Sequence, residues 1–356
     1  MRDLHGSECV RTGRATSSRR ALLGAMTAVG AGMVLPRFVR AEIPDPAPRR
    51  IDVHHHFFPP AWLEHMQQRP PGPSPAMREW STGRVLELMD KSGVATAIAS
   101  MAPWGVAFGD TAQLPKFARI CNDYAAQMIR DHPGRFGLFA AMPLPDIDAS
   151  LKEIAYALDI LKADGIGLVT SYGDKWPGDP VFAPVFEELD RRQAVVYFHP
   201  TTAACCGNLI PGVNPAMIEW PVDTARAVKS LLFSGSVVRF PKIRFIFSHA
   251  GGALPALSGR IANMAKTNKD LGKFAPQGIP AELAKLHFDT ANAFFAPSMA
   301  ALMELVPVSQ ILFGSDYPYF TLEENVAGIG EIRFTAAERQ AINRGNAARL
   351  MPQYQA

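Results

Sequence analysis

A (β/α)₈ barrel, the TIM-barrel architecture in a single domain, is the fold this sequence predicts, and three observations carry that expectation. Eight short apolar runs recur along the chain, each followed by a loop and then a helical pattern. The runs are continuously apolar rather than alternating, as suits parallel strands buried on both faces. Some 315 residues remain once an N-terminal leader of 41 is set aside, a length usual for one such barrel. An open doubly wound sheet fits less well. Its first strand would be expected to run into a glycine-rich phosphate turn, and His54-His55-His56-Phe57-Phe58-Pro59-Pro60 is no such turn.

In order, the predicted strands are Ile51–His56, Val94–Met101, Phe136–Met142, Gly165–Thr170, Ala194–His199, Ile243–His249, Lys285–Thr290 and Gln310–Asp316. Between them, Asp110 is expected to cap a helix whose Phe117, Cys121, Tyr124 and Met128 share a face. Ser150 and Glu153 carry a capping-box spacing ahead of Ile154, Leu158 and Leu161. Asp179-Pro180 supplies an N-cap with proline at the first helical position. The Pro-rich stretch from Arg69 to Pro75 and the segment from Gly207 to Pro221 read as insertions at the strand ends.

Residues 1–41 read as an export leader and 42–356 as the barrel. Ser17-Ser18-Arg19-Arg20-Ala21-Leu22-Leu23 precedes a short, glycine-punctuated apolar run, the pattern of a twin-arginine signal, and the expected location is therefore the periplasm. The leader carries seven Arg against one Asp and one Glu, while the whole chain is only +3. The remainder is thus slightly acidic, with no basic stripe, and nucleic-acid binding drops out. No later segment is apolar enough to anchor the mature protein in a membrane. After Cys9 leaves with the leader, Cys121, Cys205 and Cys206 remain, an odd number without a Cys-x-x-Cys. That argues against a disulfide framework, and the adjacent pair would need a strained turn to bridge.

The chemistry is carried by histidines. His54 and His56 are two apart on a strand, so their side chains share a side. His55 is then expected to face the helices. His199 and His249 close the fifth and sixth predicted strands, and Asp316 closes the eighth. Strand C-termini converge on the active-site face of a barrel. One His-x-His could be a hydrogen-bonded core feature, but core histidines have no reason to choose strand ends repeatedly. Three imidazoles and a carboxylate suit Zn²⁺, and also Mn²⁺ or Fe²⁺. Phe57, Phe58, Trp104, Phe108, Trp176, Tyr319 and Phe320 follow predicted strands, where they could flank a flat ring.

Ile51-Asp52-Val53-His54-His55-His56, Phe198-His199-Pro200, Ser248-His249-Ala250-Gly251-Gly252 and Phe313-Gly314-Ser315-Asp316-Tyr317-Pro318 resemble the signature blocks of the amidohydrolase superfamily. They are closest to its metal-dependent decarboxylase branch, which acts on aminocarboxymuconate semialdehyde, γ-resorcylate and 6-methylsalicylate. The resemblance runs from about Ile51 to Met351 and takes in Asp131–Phe136, Asp223-Thr224, Arg226 and Gly259-Arg260-Ile261. It implies that His54, His56, His199 and Asp316 hold one divalent metal and that His249 and Asp316 handle a proton. It also implies that Arg260 binds a substrate carboxylate across a subunit interface, hence a homodimer or homotetramer. The His-x-His type favours Zn²⁺, with Mn²⁺ as the alternative. The fourth strand lacks the lysine that bridges two metals in binuclear members, so one metal is expected.

The activity implied is loss of CO₂ from an aromatic, salicylate-type or muconate-like acid, the metal orienting the ring. Two other readings use the same residues. A metal-dependent hydrolase would attack a lactone, ester or amide with Asp316 as base and His249 stabilising the oxyanion. A binding protein on a degenerate barrel would have no need of His249.

Overall fold

The computed structural model describes residues 49–68, 72–101, 111–207 and 209–355. The predicted leader, the cap Asp110 and the candidate pocket residues Trp104 and Phe108 lie outside the described residues. All eight predicted strands are present: β1 Arg50–His56, β2 Val94–Ser100, β3 Phe136–Ala141, β4 Gly165–Val169, β5 Val195–His199, β6 Arg244–Phe247, β7 His287–Asp289 and β8 Ile311–Leu312. They pair in parallel in chain order. The backbone of β1 meets the segment after β8, through Val53 N–H to Phe313 O at 3.0 Å and His56 N–H to Tyr317 O at 2.8 Å, which brings the sheet round into a barrel.

Two apolar groups hold it together. Ile51, Val53, Ile98, Phe139, Val195, Tyr197, Ile246 and Leu312 fill the interior, with Ala347, Ala348 and Met351 packed beneath them. A larger group lies between strands and helices, where Phe198 stacks on Phe247 at 5.0 Å. In β1 the inward parity changes. Ile51 and Val53 belong to the interior group, yet His54 and His56 meet interior Tyr197 and His199. The change falls where the β1–β2 register is irregular, between Asp52 and His55, as a bulge would produce. His55 is thereby left on the other side, bonded to Asp52 at 3.1 Å and stacked on Tyr317.

The strand-to-helix turns correct one cap. Asp146, not Ser150, caps the helix Ile147–Ala155, accepting from Ala149 N–H at 2.9 Å. Ser150 and Glu153 lie inside that helix, and buried Glu153 accepts from Asn122 and Arg119 instead. Asp179 caps as expected, with Pro180 opening a 3₁₀ turn ahead of the helix Ala183–Arg191. Among the described residues no helix is long and apolar enough to cross a membrane.

At the N-terminal ends of β6–β8 a cleft of about 750 Å³ is lined by Phe240, Arg244, Glu282, His287 and Arg349 among others. It opens at the end of the barrel opposite the histidine cluster. Burial, reinforced by Arg244 and Arg349, lowers the pKa of His287 from 6.5 to about 4. Folding therefore favours its neutral form. The stability it contributes is present above pH 6.5 and drains away as pH falls towards 4. A His287→Gln variant should show a shallower loss of denaturation midpoint across that window than the parent. Parallel pH profiles of the two proteins would refute the assignment.

Candidate metal centre

Four groups meet where β1, β5 and the segment after β8 end. One ligand atom from each of His54, His56, His199 and Asp316 lies within 4.8 Å of all the others. All four residues are buried, Asp316 the most open at 5%. Asp316 is placed by backbone in the left-handed region, φ +61°, with its N–H on His54 O at 2.8 Å. Asp52 fixes the same joint from β1, accepting from His54 N–H at 3.1 Å and Ser315 N–H at 3.0 Å.

Hydrogen-bond chemistry decides which ring nitrogens face the centre. His54 Nδ1 lies 3.0 Å from Asp289 Oδ2, His56 Nδ1 3.2 Å from Ser100 O, and His199 Nδ1 2.8 Å from Pro200 O. Carbonyls and carboxylates only accept, so each Nδ1 carries the proton and each Nε2 turns a lone pair inward. Those lone pairs meet Asp316 Oδ1 at 3.1 Å from His54, 2.9 Å from His56 and 4.0 Å from His199. With the three rings neutral, four acceptors face one another. Nε2 of His54 and of His199 is buried with no hydrogen-bond partner among the described residues. Such a set is unfavourable alone and is what a cation requires.

The charges agree. Burial works against a charge on His54, but Asp289 and Asp316 outweigh it and raise its pKa to about 10, so without an ion a second proton sits on its Nε2, and a bound ion would take that proton's place. Burial takes His199 down to about 3 and lowers His56 as well. Asp316 stays well below the ordinary carboxylate range, because His54, His199 and His56 outweigh the effect of its burial. Two buried carboxylates, Asp289 and Asp316, therefore bear on one imidazole, a deficit that a divalent ion balances. The residues present fit such an ion.

His249 stands beside the four rather than among them. Its ring lies 4.8 Å from that of His54, and its Nε2 is 4.0 Å from Asp316 Oδ2. Its Nδ1 donates to Ala291 O at 2.9 Å, which leaves Nε2 free to accept a proton. Burial and the neighbouring His54 lower its pKa, which favours the neutral ring with a lone pair on Nε2. Its φ is +54° and that of Ala250 +55°, a sharp turn that aims the ring back at the barrel end.

Other predicted residues separate. Arg260 is exposed on the helix Leu254–Ala265 and outside the cluster. Phe57 and Phe58 are core, at 0% and 1% exposure, and not pocket walls. Trp176 donates to buried Asp223 at 2.8 Å, which also accepts from Thr170 and Ser171 and so ties the end of β4 to the helix Glu219–Phe233. Tyr319 does reach the site, its ring 5.6 Å from His56, with a buried hydroxyl that has no partner among the described residues. Cys205 and Cys206 form a vicinal disulfide, against expectation, in the 3₁₀ turn Ala204–Cys206 that brings their sulfurs together. Cys121 is free and buried. Sequence reading missed Asp289, which closes β7 as His199 closes β5, and Trp220, whose ring lies 5.9 Å from His199.

A closed parallel barrel that gathers three imidazole lone pairs and a carboxylate at its strand C-termini defines a metal-site barrel enzyme. The chain belongs to the amidohydrolase family, whose model matches residues 51–352. It is 35% identical over 323 residues to the decarboxylase macB of Penicillium terrestre, covering 86% of this chain and 95% of that one. It is 36% identical over 277 residues to the 6-methylsalicylic acid decarboxylase acuB of Aspergillus aculeatus, covering 76% and 84%. Its fold matches 5-carboxyvanillate decarboxylase of Novosphingobium aromaticivorans, solved with manganese and 4-hydroxy-3-methoxy-5-nitrobenzoic acid, at TM-score 0.78 and 18% identity, over 85% of this chain and 96% of that one.

Proposed function

We propose that this chain is a carboxy-lyase, a metal-dependent, non-oxidative decarboxylase of a salicylate-type or muconate-like acid. The observation that carries the reading is the all-acceptor cluster of His54, His56, His199 and Asp316 with His249 Nε2 free beside it. It occurs in a chain more than a third identical to decarboxylases over most of its length. Those four residues would hold one divalent ion, for which the three-histidine set suits Zn²⁺ and a fold neighbour offers Mn²⁺. When bound, the ion acts as a Lewis acid and template for a carboxylate and an adjacent hydroxyl.

The remaining chemistry is the protein's. His249 Nε2 takes a proton, from the substrate hydroxyl in a salicylate-type acid, and returns it to the ring carbon that carries the carboxylate. The carbon–carboxylate bond breaks, its electron pair stays on the ring and forms the new C–H bond, and CO₂ departs. Asp316 keeps its charge through the cycle and helps His249 bear the transferred proton from 4.0 Å away. Tyr319 offers a donor beside His56 to a polar substituent of the acid.

The same reading places the mature protein in the periplasm after removal of residues 1–41, and makes it a homodimer or homotetramer in which Arg260 binds a carboxylate of the neighbouring subunit's substrate. Leu257 and Met264, 38% and 57% exposed, flank Arg260 on one helix face and give such an interface apolar contacts. The deciding experiment loads the protein with Zn²⁺ or Mn²⁺ and supplies salicylate-type acids, muconate-type acids and lactones. CO₂ release from an acid is expected. Lactone turnover without CO₂ would establish the hydrolase instead.

A further inference from the structure

Asp289, at the end of β7, is fully buried and makes four hydrogen bonds that divide cleanly between its two oxygens. Oδ1 accepts from the backbone N–H of His249 at 2.9 Å and of Ala291 at 3.0 Å. Oδ2 accepts from His54 Nδ1 at 3.0 Å and from the Tyr197 hydroxyl at 3.1 Å. We infer that Asp289 is the positioning residue of the site: one carboxylate sets the ring tautomer of the candidate ligand His54 and seats the backbone turn of the candidate proton carrier His249. This inference rests on the proposed ligand set, not on the identity of the substrate.

The division of its oxygens is what gives the carboxylate this double role. Oδ1 anchors the turn in which His249 and Ala250 both adopt positive φ, a conformation that needs outside support. The carbonyl of Ala291, the same residue whose N–H Asp289 also holds, takes the Nδ1 proton of His249. Oδ2 meanwhile holds the proton of His54 on Nδ1, so that Nε2 presents a lone pair. Gly314 permits the arrangement. A Cβ there would come within 2.9 Å of His54 Cβ and 3.0 Å of Asp289 Cβ, so the backbone of the β8 extension passes where only glycine fits.

Asn at position 289 has a forced orientation. The amide groups of His249 and Ala291 can only donate, so the Asn carbonyl must face them and its NH₂ must take the place of Oδ2. Tyr197 can rotate its hydroxyl to accept, but His54 Nδ1 can then accept only by giving up its proton. The ring proton moves to Nε2, and the lone pair aimed at the centre is lost. The same size and fold thus carry the wrong tautomer.

The test is Asp289→Asn beside Tyr197→Phe, each with the parent, using competition against a chromophoric chelator for Zn²⁺ affinity and histidine ¹⁵N spectra of the zinc-loaded proteins. Asp289→Asn is expected to weaken Zn²⁺ binding by roughly 10–100-fold, the usual cost of losing such a partner, and to abolish the His54 Nδ1–H resonance. Tyr197→Phe should leave both near the parent. Parental Zn²⁺ affinity in a folded Asp289→Asn variant would overturn the inference. Should that variant not fold, the parent's own spectrum decides: His54 protonated at Nδ1 supports the inference and protonated at Nε2 overturns it. None of these readouts needs a substrate, so a failed CO₂ assay leaves them standing, whereas a parent that binds no Zn²⁺ would sink the proposed ligand set itself.

Discussion

Asp316→Ala is expected to lose metal and turnover together while keeping its fold. The carboxylate is the common neighbour of His54, His56 and His199, at 3.1, 2.9 and 4.0 Å, and supplies the charge that three neutral rings lack. Removing a partner that only orients a ligand costs about 10–100-fold in affinity, and removing the charged ligand itself should exceed about 100-fold. Decarboxylation should fall to background. The fold should survive because barrel closure at this joint is made by backbone, Asp316 N–H to His54 O and His56 N–H to Tyr317 O, and by Asp52 with Ser315. Metal content by mass spectrometry and a melting curve check both halves. A variant that still carries one metal per chain would remove Asp316 from the ligand set.

His249→Ala should give the opposite split: metal retained at the parental level and turnover reduced by roughly 10²–10⁴-fold, the usual worth of a positioned acid–base group. His249 bears on the cluster from its edge, with Nε2 4.0 Å from Asp316 Oδ2, so its removal leaves the four ligand atoms in place. His249→Asn belongs beside it, because Asn tolerates the positive φ at this position better than Ala. Both variants should be inactive with full metal occupancy. Near-parental CO₂ release in either would take the proton transfer away from His249. It would also reopen the binding-protein reading.

The barrel was legible because its signal is repeated. Eight continuous apolar runs separated by helical patterns leave few architectures, and each run proved to be a strand. The boundaries were less so. β8 spans only Ile311–Leu312, and Asp316 reaches the cluster through an irregular extension whose backbone β1 holds. The histidines and Asp316 could be picked out because their spacing reflects strand ends, which sequence records. The parity change within β1 could not, since it depends on register against β2, a property of two segments far apart. Asp289 escaped notice for a related reason. A single Asp at the end of a short run looks like any cap until the fold sets His54, Tyr197 and His249 around it. The aromatic residues show the converse. Phe57 and Phe58 lie next to a ligand in sequence and point into the core, whereas Trp220, 21 residues beyond His199 in the chain, packs near its ring. The adjacent cysteines were misjudged because a local turn, not their spacing, decides whether they meet.

If one divalent ion held by His54, His56, His199 and Asp316 carries CO₂ release, removing that ion must stop the reaction. The most direct test strips the protein with a chelator and restores Zn²⁺ or Mn²⁺ in steps while CO₂ from the accepted acid is followed. Activity absent after stripping and rising to a plateau at one ion per chain is the expected result. Full CO₂ release from the stripped protein, or a plateau only at two ions per chain, would contradict it.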